Sequence, residues 1–235
     1  ASCIFQDLDF VIIKEQTEAE YSGLEHEVIP GVVESLKVVT EEKSMRIAEY
    51  AFKYAQATGR KKVIAVHKAN IMKLSDGLFL KCCKEMAERY TSAGIEFKDV
   101  IVDNMAMQLI TKPQQFNDCV IVTTNLYGSI IANTAAALIG GAGVVPGFSA
   151  SSQGACTVFE QGTRHLGVDI ANRNMANPTG MLKSAIYMLH HLGLTPYANQ
   201  ISQAVHKTMA SGKYLTPDLG SNFTATTSEF LQAII

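Results

Sequence analysis

The stretch Asn125-Leu-Tyr-Gly-Ser-Ile-Ile-Ala-Asn133, running on into Gly140-Gly-Ala-Gly143, follows a short apolar run and opens an apolar helix. Open α/β sheets commonly place their chemistry at such a strand-to-helix junction. Its polar side chains one helical turn apart, Ser129 and Asn133, are both neutral, whereas a hard divalent cation prefers carboxylate oxygens. The glycine run does not complete a dinucleotide fingerprint. G-x-G-x-x-G would place a glycine at position 146, which is Pro146.

On either side of this junction the chain alternates in type. Runs at 10–13, 62–66, 99–102 and 119–122, apolar apart from Lys62 and Asp99 at their starts, read as strands, with helical patterns between them. Thr40 followed by Glu41 and Glu42 is a helix-start signal. Met45, Ala48, Phe52 and Ala55 then recur at helical spacing until Gly59. A second helix is expected over 76–90 and a third through 107–110, ending before Pro113. Strands alternating with helices imply βαβ units in a mostly parallel sheet. Pro30-Gly31, between 21–28 and the β-branched 31–39, predicts a hairpin, and valines on both faces suit it to pairing with another chain. Beyond Gly143 the expectation is a loop, a strand at 157–160, an irregular polar segment to 177, and helices at 179–189, 201–209 and 224–235.

Composition narrows the function classes. With 47% hydrophobic and 18% charged residues and a net charge of −2, the chain has no basic face for nucleic acid. No run approaches the roughly 18 apolar residues of a membrane span, so no membrane contact is expected. The five cysteines form no C-x-x-C pair, and read best as reduced thiols packed as small apolar residues in a reducing compartment. Almost nothing precedes the strand at 10–13, an abrupt start that suggests missing N-terminal chain.

Several side chains could carry chemistry. Lys68 stands at the mouth of the 62–66 strand beside His67 and Asn70. It reads as a proton relay or as a solvated lysine that ends the strand. Asp103 ends the next strand, as a metal ligand or a helix N-cap. Tyr21 is a proton donor or a half-buried hairpin aromatic. Asp169 could accept hydrogen bonds from ribose hydroxyls. His190-His191 is no metal pair, because adjacent helical residues point roughly 100° apart.

In order along the chain, Thr17-Glu-Ala-Glu-Tyr-Ser-Gly-Leu-Glu-His26, Ala65-Val-His-Lys-Ala-Asn-Ile-Met-Lys-Leu-Ser-Asp-Gly77, Asn125-Leu-Tyr-Gly128 and Met175-Ala-Asn-Pro-Thr179 resemble the isocitrate/isopropylmalate dehydrogenase family, in particular its heteromeric, mitochondrial NAD-dependent branch. The resemblance runs from about residue 9 to 235. It implies that family's α/β fold: a doubly wound large domain, a smaller α/β domain and a clasp. Residues of about 13–130 would be small domain and clasp (the clasp at 21–40), and about 131–235 large domain. The chain would be the later part of a longer subunit of the mitochondrial matrix.

The implied reaction oxidises isocitrate by hydride transfer to NAD, with Mg²⁺ or Mn²⁺ assisting loss of CO₂. Matched residue by residue, Lys68 and Tyr21 fall at the family's catalytic lysine and tyrosine. Asp103 falls at a metal-binding aspartate; Lys68 and Asp103 are both lent across a dimer. Lys14, Tyr21 and Asn70 would face substrate or effector, and Arg164, His165, Asp169 and Asn177 a nucleotide.

Departures from the family pattern matter most. Ser129 and Asn133 stand where catalytic subunits carry metal-binding aspartates. Lys14 replaces an arginine, keeping the charge but losing the bidentate fork. Gln161-Gly-Thr-Arg-His-Leu-Gly-Val-Asp169 replaces the catalytic nucleotide loop. The combination implies an allosteric regulatory subunit, binding citrate and AMP or ADP, in a hetero-oligomer with a catalytic isocitrate dehydrogenase subunit. The rival expectations are a self-sufficient metal-dependent decarboxylating 2-hydroxyacid dehydrogenase and a non-enzymatic binding subunit.

Overall fold

The structure is a computed structural model that describes residues 7–151, 155–163 and 165–235. The chain divides into two compact units, one formed by Asp7–Thr134 and the other by Ala135–Ile235 among the described residues.

The first unit is built on a four-stranded parallel sheet of β1 (Val11–Lys14), β4 (Lys62–His67), β5 (Glu96–Ile101) and β6 (Cys119–Thr123), in the spatial order β1-β6-β4-β5. The expected parallel α/β sheet is present. Its central strands are buried on both faces, and the period of two sorts their side chains. Val63, Ala65, Val120 and Val122 face helices α1 (Glu41–Thr58) and α2 (Ser75–Arg89), packing with Ala48, Phe52, Phe79 and Met86. Ile64, Val66, Cys119 and Ile121 point the other way, to Met105 and Leu109 of α3 (Val102–Thr111) and Ile131 of α4 (Asn125–Leu138).

Register brings the polar strand ends together. Lys14 pairs with Thr123, Val66 with Thr123 and His67 with Ile101, so Lys14, Lys68 and Asn125 leave the sheet at one edge. Helix α1 follows its signals: the Thr40 side chain accepts from Lys43 N–H, and Gly59, at φ 73°, closes the helix. The hairpin also forms, as β2 (Glu25–Ile29) and β3 (Val32–Ser35) about Gly31, with every strand residue exposed. Its root is tied down by the Ala19–Val38 bridge and by Thr40, whose N–H and hydroxyl donate to the Glu18 carboxylate.

The second unit carries an antiparallel ribbon, β7 (Pro146–Ala150) with β8 (Thr157–Gln161), against α5 (Thr179–His191), which also packs on α6 (Thr195–Ser211). Val144, Leu215, Leu219 and Phe230 form its small core, the last from α7 (Thr227–Gln232). The loop expected after Gly143 is therefore partly a strand. Pro146-Gly-Phe-Ser-Ala150 has little intrinsic strand preference, and pairing with β8 imposes its conformation. Gly147 and Gly162 permit this approach, since a Cβ on Gly147 would lie 2.7 Å from Gly162 Cα. Helix α6 begins six residues earlier than expected, and α7 covers only the middle of 224–235. The capping box of Thr226 and Glu229 fixes where α7 starts.

One local conformation is strained. Buried Ala19 has φ 64° and ψ −136°, a region that side-chain-bearing residues rarely adopt, and its N–H donates to Val38 O at 2.8 Å. Ala19→Gly removes the Cβ conflict and should raise unfolding free energy by about 1 kcal/mol, the net of strain relief and greater unfolded-chain entropy. Denaturant unfolding of the two proteins measures the difference; a loss of stability would show that the Ala19 conformation is unstrained.

Candidate functional site

The C-terminal edge of the parallel sheet carries two groups of side chains. The first lies where β1 and β6 end. Lys14 Nζ donates to the Asn125 side-chain oxygen at 3.0 Å and stands 5.8 Å from the centre of the Tyr21 ring. The Tyr21 hydroxyl donates to Ser129 Oγ at 3.2 Å. Asn125, fully buried at the start of α4, donates its amide to Glu18 O and so joins the β1 loop to the helix. Gly128 is needed here, because a Cβ at that position would come within 2.5 Å of Lys14 Cβ. This group offers an ammonium and a phenol, donors that suit a carboxylate-bearing ligand.

The same group is a poor metal centre. Asn133 Nδ2 is bonded to the Ser129 carbonyl one turn earlier at 2.8 Å, and the Ser129 hydroxyl is engaged by Tyr21. A hydroxyl and an amide supply no anionic oxygen, so these two residues do not fit a hard divalent ion. Among the described residues, no cluster of three or more His, Cys, Asp or Glu side chains is placed to hold a metal.

The second group lies where β4 and β5 end. Lys68 Nζ is 2.9 Å from Asp103 Oδ2, with the aspartate well exposed in the first turn of α3. The hydrogen bond from Lys68 holds the Asp103 carboxyl below its ordinary range. The Lys68 backbone is restrained from several directions. Its N–H donates to buried Asp76 Oδ2 at 2.6 Å, and its carbonyl accepts from Ile71 and Met72. The next N–H, of Ala69, donates to His67 Nδ1 at 2.9 Å. That bond places the His67 proton on Nε2, facing Asp99 Oδ2 at 3.2 Å. Asn70 is exposed in the turn that follows.

Of the four residues expected to face a nucleotide, His165, Asp169 and Asn177 lie in the second unit. Arg164 lies outside the described residues. His165 and Asp169 are exposed, Asp169 in a single 3-10 turn. Asn177 is more constrained. Its amide donates to Asp218 Oδ2 at 3.0 Å while its carbonyl accepts from Thr179 N–H at the start of α5.

Two polar clusters near the site escaped sequence reading. Lys37, just beyond β3, reaches Asp76 Oδ1 at 2.6 Å and Glu20 at 3.2 Å. Glu15 is buried, and its carboxylate accepts from Thr17 and Glu18 N–H, the Thr17 hydroxyl and Arg46. The only signal for Asp76 was its place in the first turn of a helix. Nothing local announces a partner 39 positions earlier.

Burial raises the Glu15 pKa, but these hydrogen bonds outweigh it, so the carboxyl titrates below its ordinary range. Its contribution is thus fully present above the unfolded-state pKa and is lost as pH falls through the folded value. Glu15→Gln should cost about 1–3 kcal/mol at neutral pH, the scale of hydrogen bonds to a buried charge. The gap to the unaltered protein should narrow on acidification, as read from unfolding curves between about pH 7 and pH 3. A constant gap would assign the loss to shape rather than charge.

Comparisons with known proteins agree among themselves. The sequence profile described as Isocitrate/isopropylmalate dehydrogenase matches residues 1–234. The chain is 54% identical over 230 residues to the gamma subunit of mitochondrial isocitrate dehydrogenase [NAD] from Macaca fascicularis, covering 98% of this chain and 62% of that protein. It is 55% identical over 229 residues to the corresponding beta subunit from Bos taurus, covering 97% of this chain and 57% of that protein. It therefore spans somewhat over half the length of these curated relatives. Among solved structures, isocitrate dehydrogenase from Methylococcus capsulatus superposes with a TM-score of 0.91 at 40% identity, covering 98% of this chain and 67% of that one.

Proposed function

Because the chain belongs to the isocitrate/isopropylmalate dehydrogenase family, we propose that it is an allosteric, non-catalytic subunit of a hetero-oligomeric NAD-dependent isocitrate dehydrogenase in the mitochondrial matrix. The assembled enzyme converts isocitrate and NAD to 2-oxoglutarate, CO₂ and NADH. The observation that carries this reading is the contrast between the two groups at the sheet edge. Ser129 and Asn133 are neutral and committed to Tyr21 and to the helix backbone. Lys68 and Asp103 keep a charged pair, with the aspartate exposed. A subunit that retained only what its partner needs would show this division.

On this reading Lys68 and Asp103 complete the catalytic partner's site, and the enzyme's Mg²⁺ or Mn²⁺ belongs to that site. The chain's own cleft takes citrate or isocitrate. Lys14 supplies charge, Tyr21 a hydroxyl and Asn70 an amide, while the lost arginine fork lowers selectivity for paired carboxylate oxygens. AMP or ADP binds around Arg164, His165, Asp169 and Asn177. Residues of about 13–130 form the small domain and clasp, and about 131–235 belong to the large domain. The relatives named beta and gamma subunits support a heteromeric assembly.

The full-length chain purified alone should show no isocitrate oxidation, and activity should appear when a catalytic subunit is added. Within that assembly, Lys68→Ala in this chain should lower the rate by about 10² or more, the scale of a lost acid–base group. Robust turnover by the isolated chain would establish a self-sufficient dehydrogenase instead, and an unchanged rate with Lys68→Ala would remove the lent-lysine role.

Ser129→Asp combined with Asn133→Asp should strengthen Mn²⁺ binding to this subunit, measured by calorimetry. Activity need not follow, because Lys14 and the altered nucleotide loop remain. No gain in Mn²⁺ affinity would show that the missing carboxylates are not what keeps metal out.

A further inference from the structure

We infer that Asp76 is a positioning residue for Lys68, and that Lys37, at the root of the exposed hairpin, holds Asp76 in place. The inference rests on the lent-lysine reading above for its effect on catalysis, but the contact itself is independent of that reading.

Asp76 has no solvent exposure. A buried carboxylate is costly unless each oxygen finds a strong donor. One oxygen accepts the Lys68 N–H at 2.6 Å, and the other faces Lys37 Nζ at 2.6 Å. Asp76 stands in the first turn of α2, where partial positive charge also favours it. The bond to Lys68 reaches back eight residues, out of its own helix and across the turn that follows β4. With the Lys68 carbonyl held by Ile71 and Met72, both backbone polar groups of the lysine are fixed. Its flexible side chain then starts from a set root, which narrows the positions from which Nζ meets Asp103.

Lys37 is nearly enclosed. It is flanked by Asp76 and Glu20, sits 4.3 Å from the centre of the Tyr127 ring, and contacts Met72 Sδ at 3.6 Å. Burial works against its charge, but the two carboxylates prevail and keep it protonated well above neutrality. Its backbone lies two residues past β3, close to the Ala19–Val38 bridge that anchors the hairpin. A continuous polar chain therefore runs from the hairpin root through Lys37, Asp76 and the Lys68 backbone to Asp103. Removing Lys37 leaves Asp76 buried without its countercharge, which destabilises the carboxylate in its present place. Its displacement weakens its hold on Lys68.

The test uses the full-length chain assembled with its catalytic partner, comparing Lys37→Met, which keeps the apolar stem, with Lys37→Arg, which restores the charge. Amide hydrogen exchange at Lys68 and Ala69 should accelerate at least about tenfold in Lys37→Met while the amides of Val120, Ile121 and Val122 in β6 stay protected. Isocitrate kcat should fall about tenfold with KM within about twofold. Lys37→Arg should recover most of both effects. Unchanged exchange at Lys68 overturns the inference, as does faster exchange there with unchanged kcat where Lys68→Ala itself lowers kcat. Loss of protection throughout β6 also overturns it, because Lys37 would then serve general stability. If Lys68→Ala is itself silent while Lys37→Met still loosens the Lys68 amide, the lent-lysine reading fails and the positioning contact stands.

Discussion

Strands β4 and β6 are buried on both faces, and that constraint governs where everything else in the first unit can be. Their side chains from Val63 to Val66 and from Cys119 to Val122 have almost no exposure. No polar group along them can carry function without paying for desolvation. Polar residues must wait until the strands end. Because the sheet is parallel, the strands end at the same edge, and the register sets Lys14, Lys68 and Asn125 side by side there. The site is thus a consequence of topology before it is a matter of particular side chains.

Much of this was legible in one dimension, for a physical reason. Runs such as Val63-Ile-Ala-Val66 and Cys119-Val-Ile-Val122 are apolar at every position because both faces are covered, and helices α1 and α2 carry apolar stripes because only one face is. The cap at Thr40 and the stop at Gly59 are local chemistry, and they fall where the sequence places them. Strand β7 shows the opposite case. Pro146-Gly-Phe-Ser-Ala150 is extended because β8 lies beside it, and no pattern within five residues encodes partners that lie beyond them along the chain.

The candidate site divides in the same way. Lys68 and Asp103 could be singled out because each stands at the end of a strand, and Ser129 because it lies one turn from Asn133 at a strand-to-helix junction; Tyr21 gained its role from the family resemblance. Their pairings, Tyr21 with Ser129 and Lys68 with Asp103, are tertiary facts. The buried charges were harder still. Asp76 reads in sequence as an ordinary acid near a helix start, and Lys37 as one lysine within the β-branched run 31–39 of the expected hairpin. Both are determined by a contact across 39 positions, and burial of a charge leaves no periodic trace.

The hairpin and the sheet edge deserve to be considered as one system. The hairpin has no core of its own, since every residue of β2 and β3 is exposed. Its attachment to the rest of the unit depends on a few polar links: the Ala19–Val38 bridge, Thr40 on Glu18, and Lys37 on Glu20 and Asp76. The first two involve the same loop that carries Lys14 and Tyr21, and the third reaches Lys68 through Asp76. A displacement of the hairpin root would therefore bear on both groups at the sheet edge, through directional contacts that tolerate little change in length. On the proposed function, an effector bound at Lys14 and Tyr21 would act on the partner's site through these links, and the coupling would be reciprocal for binding free energies. The group around Lys14 and the Lys68–Asp103 pair need not touch to influence one another; they need only share the segment from Glu15 to Thr40 as their support.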